Sequence, residues 1–140
     1  MNGSQDQSEQ SPITNVLAVV CVTDVERARG WYERALGRPV DREPMEGCLE
    51  WQLGDGGGLQ VIADPEHAGH GMVTLGVDDI DAHVAVLRGR GLEVDGTHEG
   101  DMPEGATIRI AQLRDPDGNL VTFGEEPQTR PDSHQRTKAD

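Results

Sequence analysis

Residues 13–22 read ITNVLAVVCV, a run rich in β-branched residues that predicts a strand. The hydrophobic period then changes. In TDVERARGWYERALG, Val25, Ala28, Tyr32 and Leu36 fall on one helical face. Thr23 and Glu26 have the spacing of a capping box and Gly37 supplies a stop, so an amphipathic helix is expected here. GCLEWQLG and GLQVIAD read as two strands joined by the glycine-rich turn GDGGG, with a weaker strand around Pro39–Arg42 ahead of them.

The second half repeats that order. GMVTLGV predicts a strand, and DDIDAHVAVLRGRG a helix whose inner face is Ile80, Val84 and Leu87. A short strand near Leu92–Val94 and a loop, DGTHEGDMPEGA, lead to the strands TIRIAQL and NLVTFGE. Between these two lies Asp-Pro-Asp-Gly, a turn in which Pro116 presets φ, Gly118 takes positive φ and the aspartates cap backbone donors. At an offset of about 55 residues, Val22, Asp24 and Val25 fall on Val77, Asp79 and Ile80. At about 62, Asp55, Gly56, Leu59 and Val61 fall on Asp117, Gly118, Val121 and Phe123. A βαβββ unit written twice, at 13–66 and 67–124, is the expected organisation, an α+β fold with disordered tails at 1–12 and 125–140.

Composition narrows the partners. The formal net charge is −14, which disfavours nucleic acid and anionic membranes and would attract a cationic ligand. The first twelve residues hold no apolar run, so neither a signal peptide nor a membrane anchor is expected, and the reading is cytoplasmic. Cys21 and Cys48 form no CxxC and are expected to be free thiols.

A duplicated βαβββ unit with DPDGN before its last strand resembles the vicinal oxygen chelate superfamily, which includes glyoxalases, extradiol dioxygenases and bleomycin-resistance proteins. VTDVERARGWYERALG, VTLGVDDIDA and LRDPDGNLVTF carry the resemblance, which covers about residues 13–124. It implies a cupped mixed sheet with helices outside, a pocket inside and a homodimer in which both chains wall each cup. It also implies four metal-ligand positions, normally His or Gln, Glu, His and Glu. Here they are Leu17, Gln60, Met72 and Thr122, a set that disfavours a divalent metal and suits an apolar pocket. No cofactor is expected. His67 and His70, an HxxH, are the fallback metal ligands.

Strand alternation sorts the two faces. Val16, Ala18, Val20, Val22, Leu59, Val61, Leu75, Val77, Val121 and Phe123 are expected to face the helices. Leu17, Val19, Cys21, Gln60, Ile62, Met72, Thr74, Leu120 and Thr122 should face the cup and bind the ligand. Trp51 joins that set as a stacking residue, though alternation does not fix its face. His83 suits a core position and His98 a loop. Glu50, Glu99, Asp101 and Glu104 are the acids an enzyme would have available, with none singled out by spacing. Two functions compete: metal-free binding of a small organic molecule, as in antibiotic sequestration, and a glyoxalase- or dioxygenase-like enzyme using other ligands.

Overall fold

The computed structural model describes residues 11–101 and 107–125; the expected tails lie almost wholly outside the described residues. The first half contains β1 (Val16–Val22), α1 (Val25–Leu36), β2 (Arg42–Met45), β3 (Cys48–Leu53) and β4 (Gly57–Ala63). The second contains β5 (Met72–Val77), α2 (Ile80–Gly89), β6 (His98–Asp101), β7 (Thr107–Arg114) and β8 (Leu120–Glu125). Each half folds into a four-stranded mixed sheet, in the orders β1-β4-β3-β2 and β5-β8-β7-β6. The pairs β1–β4 and β5–β8 are parallel, the others antiparallel. Glu125, assigned by the sequence to the tail, pairs with Val77 and Arg109 as the last residue of β8.

Three local expectations change. The cap of α1 is Asp24, whose Oδ1 accepts from the Glu26 and Arg27 amides, while the Thr23 hydroxyl donates to Asp117 Oδ1 at 2.6 Å. A distant carboxylate thus outcompetes the local capping box. The weak strand of the first half is Arg42–Met45 rather than Pro39–Arg42. In the second half, Leu92 and Val94 are buried outside any strand, and the fourth strand is His98–Asp101, inside the expected loop. Leu92 and Val94 alternate as a strand would, but they close the end of α2: Leu92 N–H donates to Leu87 O, and Arg88 donates to Val94 O.

One apolar core runs through both halves, joining Val20, Tyr32, Trp51 and Leu59 to Ile80, Val84, Val121 and Phe123. The Asp-Pro-Asp-Gly-Asn turn latches the halves together. Buried Asp115 accepts from the Tyr32 hydroxyl (2.7 Å), from the amides of Asp117 and Asn119, and from Asn119 Nδ2. Asn119 also donates to Cys21 O and accepts from Gly71 N–H, and Arg27 donates to Pro116 O. Burial first, then the bond to Asp115, holds the Tyr32 hydroxyl well above its usual pKa, so it remains a donor.

Candidate functional site

Register decides what each sheet presents. In the first, Ala18, Leu59 and Trp51 are cross-strand neighbours on the helix face. Stepping one residue along β1, β4 and β3 turns the side chains over, and Val19, Gln60, Glu50 and Arg42 form a row on the open face. Cys21, Ile62 and Cys48 make the next row. In the second sheet the open face carries Thr74, Thr122 and Gln112 in one row and Met72, Leu120 and Arg114 in the adjacent one.

Nine of the ten expected ligand-binding residues therefore lie on the open faces: Leu17, Val19, Cys21, Gln60 and Ile62 on the first, Met72, Thr74, Leu120 and Thr122 on the second. Each set is continuous within its own sheet. Apolar groups there are exposed, Val19 at 48% and Met72 at 76%, joined by Met45 at 67% on β2. Trp51 is the exception. It is fully buried beneath α1, its Nε1–H donating to Arg38 O (3.0 Å) and its ring 6.0 Å from that of Tyr32. Its register partner Leu59 faces the helices, so Trp51 must as well, and it is a core residue rather than a stacking platform.

The turn of Trp51 toward the core sends its neighbour Glu50 to the open face, where it is fully buried. Oε1 accepts from Gln60 Nε2 (3.0 Å) and Arg42 Nη2 (3.4 Å); Oε2 accepts from Gln52 Nε2 (2.6 Å) and Arg42 Nε (3.1 Å). The Gln60 bond, with help from Arg42 and Gln52, outweighs desolvation and keeps the carboxyl below its ordinary value. Glu50 is thus an ionised group with its four acceptor directions taken, unsuited to serve as a general base or a metal ligand. The second sheet has Gln112 at the matching place, donating to Thr122 Oγ1 at 3.2 Å. Arg42, Gln52 and Gln112 were missed in the sequence, although the offset of 62 that relates Gln60 to Thr122 also relates Glu50 to Gln112.

The family's metal chemistry can be tested on these donors. Leu17 has no ligating atom, Met72 offers a thioether, Gln60 offers a neutral amide carbonyl, and Thr122 offers a hydroxyl that accepts from Gln112. The set does not fit a divalent metal. Of the fallback pair, His67 lies with Asp64 and Glu66, ligand atoms within 4.8 Å of one another, on a solvent-facing turn; His70 is not in that group. His67 Nδ1 is 2.9 Å from Asp64 Oδ2, an exposed hydrogen bond that holds the Asp64 carboxyl below its ordinary value.

Other candidates resolve individually. The His83 ring packs 4.4 Å from Phe123, and burial, then Arg90, lowers its pKa, so the imidazole is neutral and its buried Nε2 has no partner among the described residues. His98 is exposed on β6 opposite Ile110 rather than in a loop, and Glu99 pairs with Arg109 on the opposite face. Glu104 and the side chain of Asp101 lie outside the described residues. Burial raises the pKa of both free thiols, Cys21 and Cys48, which keeps them protonated. An apolar cavity of about 500 Å³ lies between the halves, lined by Ala18, Leu36, Val73, Leu75, His83 and Phe123; of the expected ligand-binding residues it reaches Thr74 alone. No helix among the described residues is long and apolar enough to cross a membrane.

Comparison with known proteins agrees with this geometry. No curated protein matches the chain. Among solved structures, a glyoxalase/bleomycin resistance protein from Catenulispora acidiphila DSM 44928 is 38% identical with a TM-score of 0.70, over 81% of this chain and 98% of that one. TnmS3, an antibiotic binding protein from Streptomyces sp. CB03234, is 27% identical with a TM-score of 0.66, over 84% and 97%. A glyoxalase/bleomycin resistance protein from the same Streptomyces is 29% identical with a TM-score of 0.62, over 78% and 97%. Residues 14–123 match the family model described as Glyoxalase/Bleomycin resistance protein/Dioxygenase superfamily, and the chain belongs to that superfamily.

Proposed function

We propose that the protein binds a small organic molecule on the open faces of its sheets, without a resident metal, and releases it unchanged. The observation that carries this reading is the fate of the four family ligand positions. Leu17, Met72, Gln60 and Thr122 make a surface of hydrocarbon, thioether, neutral amide and hydroxyl groups. Such a surface fits an apolar ligand body with a few directional hydrogen bonds. Likeness to an antibiotic binding protein supports antibiotic sequestration as the finer reading. A homodimer in the cytoplasm is part of this proposal. Val19, Met45 and Met72, exposed on an isolated chain, would be covered where two open faces meet.

A cationic ligand has less local support than the net charge suggests. Glu50, the fully buried acid of the first open face, is paired with Arg42, so that row is close to neutral. The test combines metal analysis of protein purified without chelator with calorimetric titrations of zinc, nickel, iron and manganese. A thermal-shift screen of uncharged and cationic natural products follows, with chromatographic recovery of each hit. The proposal expects no stoichiometric metal and intact hits. One tightly held metal per chain, or a hit converted to product, would overturn it.

A further inference from the structure

Glu50 has no counterpart in the second half, where Gln112 stands, and its surroundings constrain what the site can recognise. A carboxylate accepts hydrogen bonds and cannot donate them. Gln52 and Gln60 must therefore each turn the –NH2 end of the amide toward Glu50, as the 2.6 and 3.0 Å contacts show. Their carbonyl oxygens point away from it and bond no described residue. Gln52 is exposed and Gln60 half-buried, so neither oxygen is sealed from a ligand. Across the molecule, the Gln112 –NH2 donates to Thr122 Oγ1, which leaves the Gln112 carbonyl oxygen as a further acceptor. The open-face amides thus agree in sense: each turns an N–H to a protein partner and leaves its carbonyl oxygen unbonded by a described residue.

We infer that Glu50 sets the polarity of the binding site. By locking Gln52 and Gln60 it turns acceptor oxygens toward the ligand, and the site selects an uncharged organic molecule bearing O–H or N–H donors over one bearing carboxylate or phosphate groups. This deepens the binding function proposed above and rests on it. Two physical reasons act together. An anionic oxygen placed against a carbonyl finds no donor at that atom and loses its hydration. The open-face guanidinium groups of Arg42 and Arg114 are already bonded to Glu50 and Gly118 O, and the negative charge of the whole chain repels the anion at longer range. A site built to bond a hydroxyl rejects the analogue that lacks it, because a buried acceptor is then left unpaired.

The test uses the full ¹⁵N-labelled chain and three probes sharing one bicyclic apolar body: naphthalene-2,7-diol, 2,7-dimethoxynaphthalene and naphthalene-2,7-dicarboxylate. The first donates, the second only accepts, the third is anionic. Backbone and glutamine side-chain amide signals report where and how tightly each binds. The diol is expected to bind about tenfold tighter than the dimethoxy compound, with the dicarboxylate weakest. In Glu50→Gln the new amide can accept or donate, Gln52 and Gln60 are free to flip, and the two neutral probes should come within about twofold of each other. Gln52→Met, at an exposed position, should weaken the diol severalfold and so narrow its preference over the dimethoxy compound, which keeps the test decisive if Glu50→Gln does not fold. Equal binding of all three probes, or a diol preference that survives both substitutions, would overturn the inference and leave the binding function standing. An absence of shifts at Val19, Gln60 and Thr122 with every probe would remove both.

Discussion

In the first sheet the open-face row Val19–Gln60–Glu50–Arg42 crosses four strands; in the second the matching row is Thr74–Thr122–Gln112. Both rows place a polar side chain from the last strand of the half beside one from the strand before it. The first pair is an amide donating to an ionised, fully buried carboxylate, the second an amide donating to a hydroxyl. The hairpin turns diverge in the same way. Asp55 and Gly56 match Asp117 and Gly118 in the repeat, yet among the described residues it is the second turn that bonds across to the other half, through Tyr32, Thr23 and Arg27. Duplication preserved which residue faces which way. What each position does was set separately in each half by what it meets over long range.

The turns offer the largest test of that asymmetry. Asp115→Ala leaves the Tyr32 hydroxyl, the Asn119 amide and Asn119 Nδ2 without their acceptor in a buried setting. A loss of about 3–5 kcal/mol is expected. Asp55→Ala, in the exposed turn of the first half, should change stability by less than about 0.5 kcal/mol. Urea midpoints of the two variants measure the difference, and equal losses would mean the second turn is no latch.

A smaller effect is expected at Gly58, whose counterpart in the second half is Leu120. The same register place takes a large side chain in one sheet and none in the other. A Cβ at Gly58 would lie 2.7 Å from both Trp51 O and Leu17 Cδ2, and the carbonyl belongs to a paired strand that cannot give way cheaply. Gly58→Ala should cost about 2 kcal/mol, whereas Leu120→Ala, half-buried on the open face, should cost under about 1.5 kcal/mol. Reversal of that order in thermal denaturation would place the constraint elsewhere.

The helix caps come next, and here the halves are alike. Asp24 accepts from two backbone amides and Asp79 from one. Replacement by alanine should cost about 1 kcal/mol at Asp24 and somewhat less at Asp79. Loss of helical circular dichroism with temperature checks both.

These contrasts mark what the sequence made legible. The helices, most strands and the pairing of Leu17 with Met72 and Gln60 with Thr122 follow from period and offset, because hydrophobic alternation is local information. The face of Trp51 was not readable, since Cys48, Leu49, Glu50 and Trp51 are all buried and β3 shows no alternation to exploit. Its register against Leu59 settles the matter, and that is a contact between strands. β6 escaped because HEGD has no β pattern and is held by pairing to β7, while Leu92 and Val94 imitate a strand that does not form. Thr23 reads as a cap until Asp117, 94 residues away, claims its hydroxyl. Glu50 was visible as an acid, but its partner Gln60 lies on another strand, and Arg42 on a third.

The smallest effect at neutral pH, and the sharpest test of the contrast between the open faces, lies in acid. Hydrogen bonds from Gln60, then Arg42 and Gln52, hold the folded-state Glu50 below its ordinary value of 4.5. The unfolded chain therefore takes up this proton first. The stabilisation is complete above that ordinary value and is lost as the pH falls through it toward the folded-state one. Asp41, Asp64 and Asp81 are also lowered, but they are common to wild type and variant and cancel in the difference. The stability of wild type minus that of Glu50→Gln should be flat from neutral pH to about 5 and shrink as the solution becomes more acidic. Gln112→Glu puts a carboxylate at the matching place with no arginine in its cross-strand row, and its difference from wild type should not show that acid loss. A Glu50→Gln difference that stays flat into acid would mean Glu50 is protonated in the folded protein. A protonated acid can donate, Gln60 would then be free to turn its carbonyl inward, and the two open faces would be far more alike than their residues suggest.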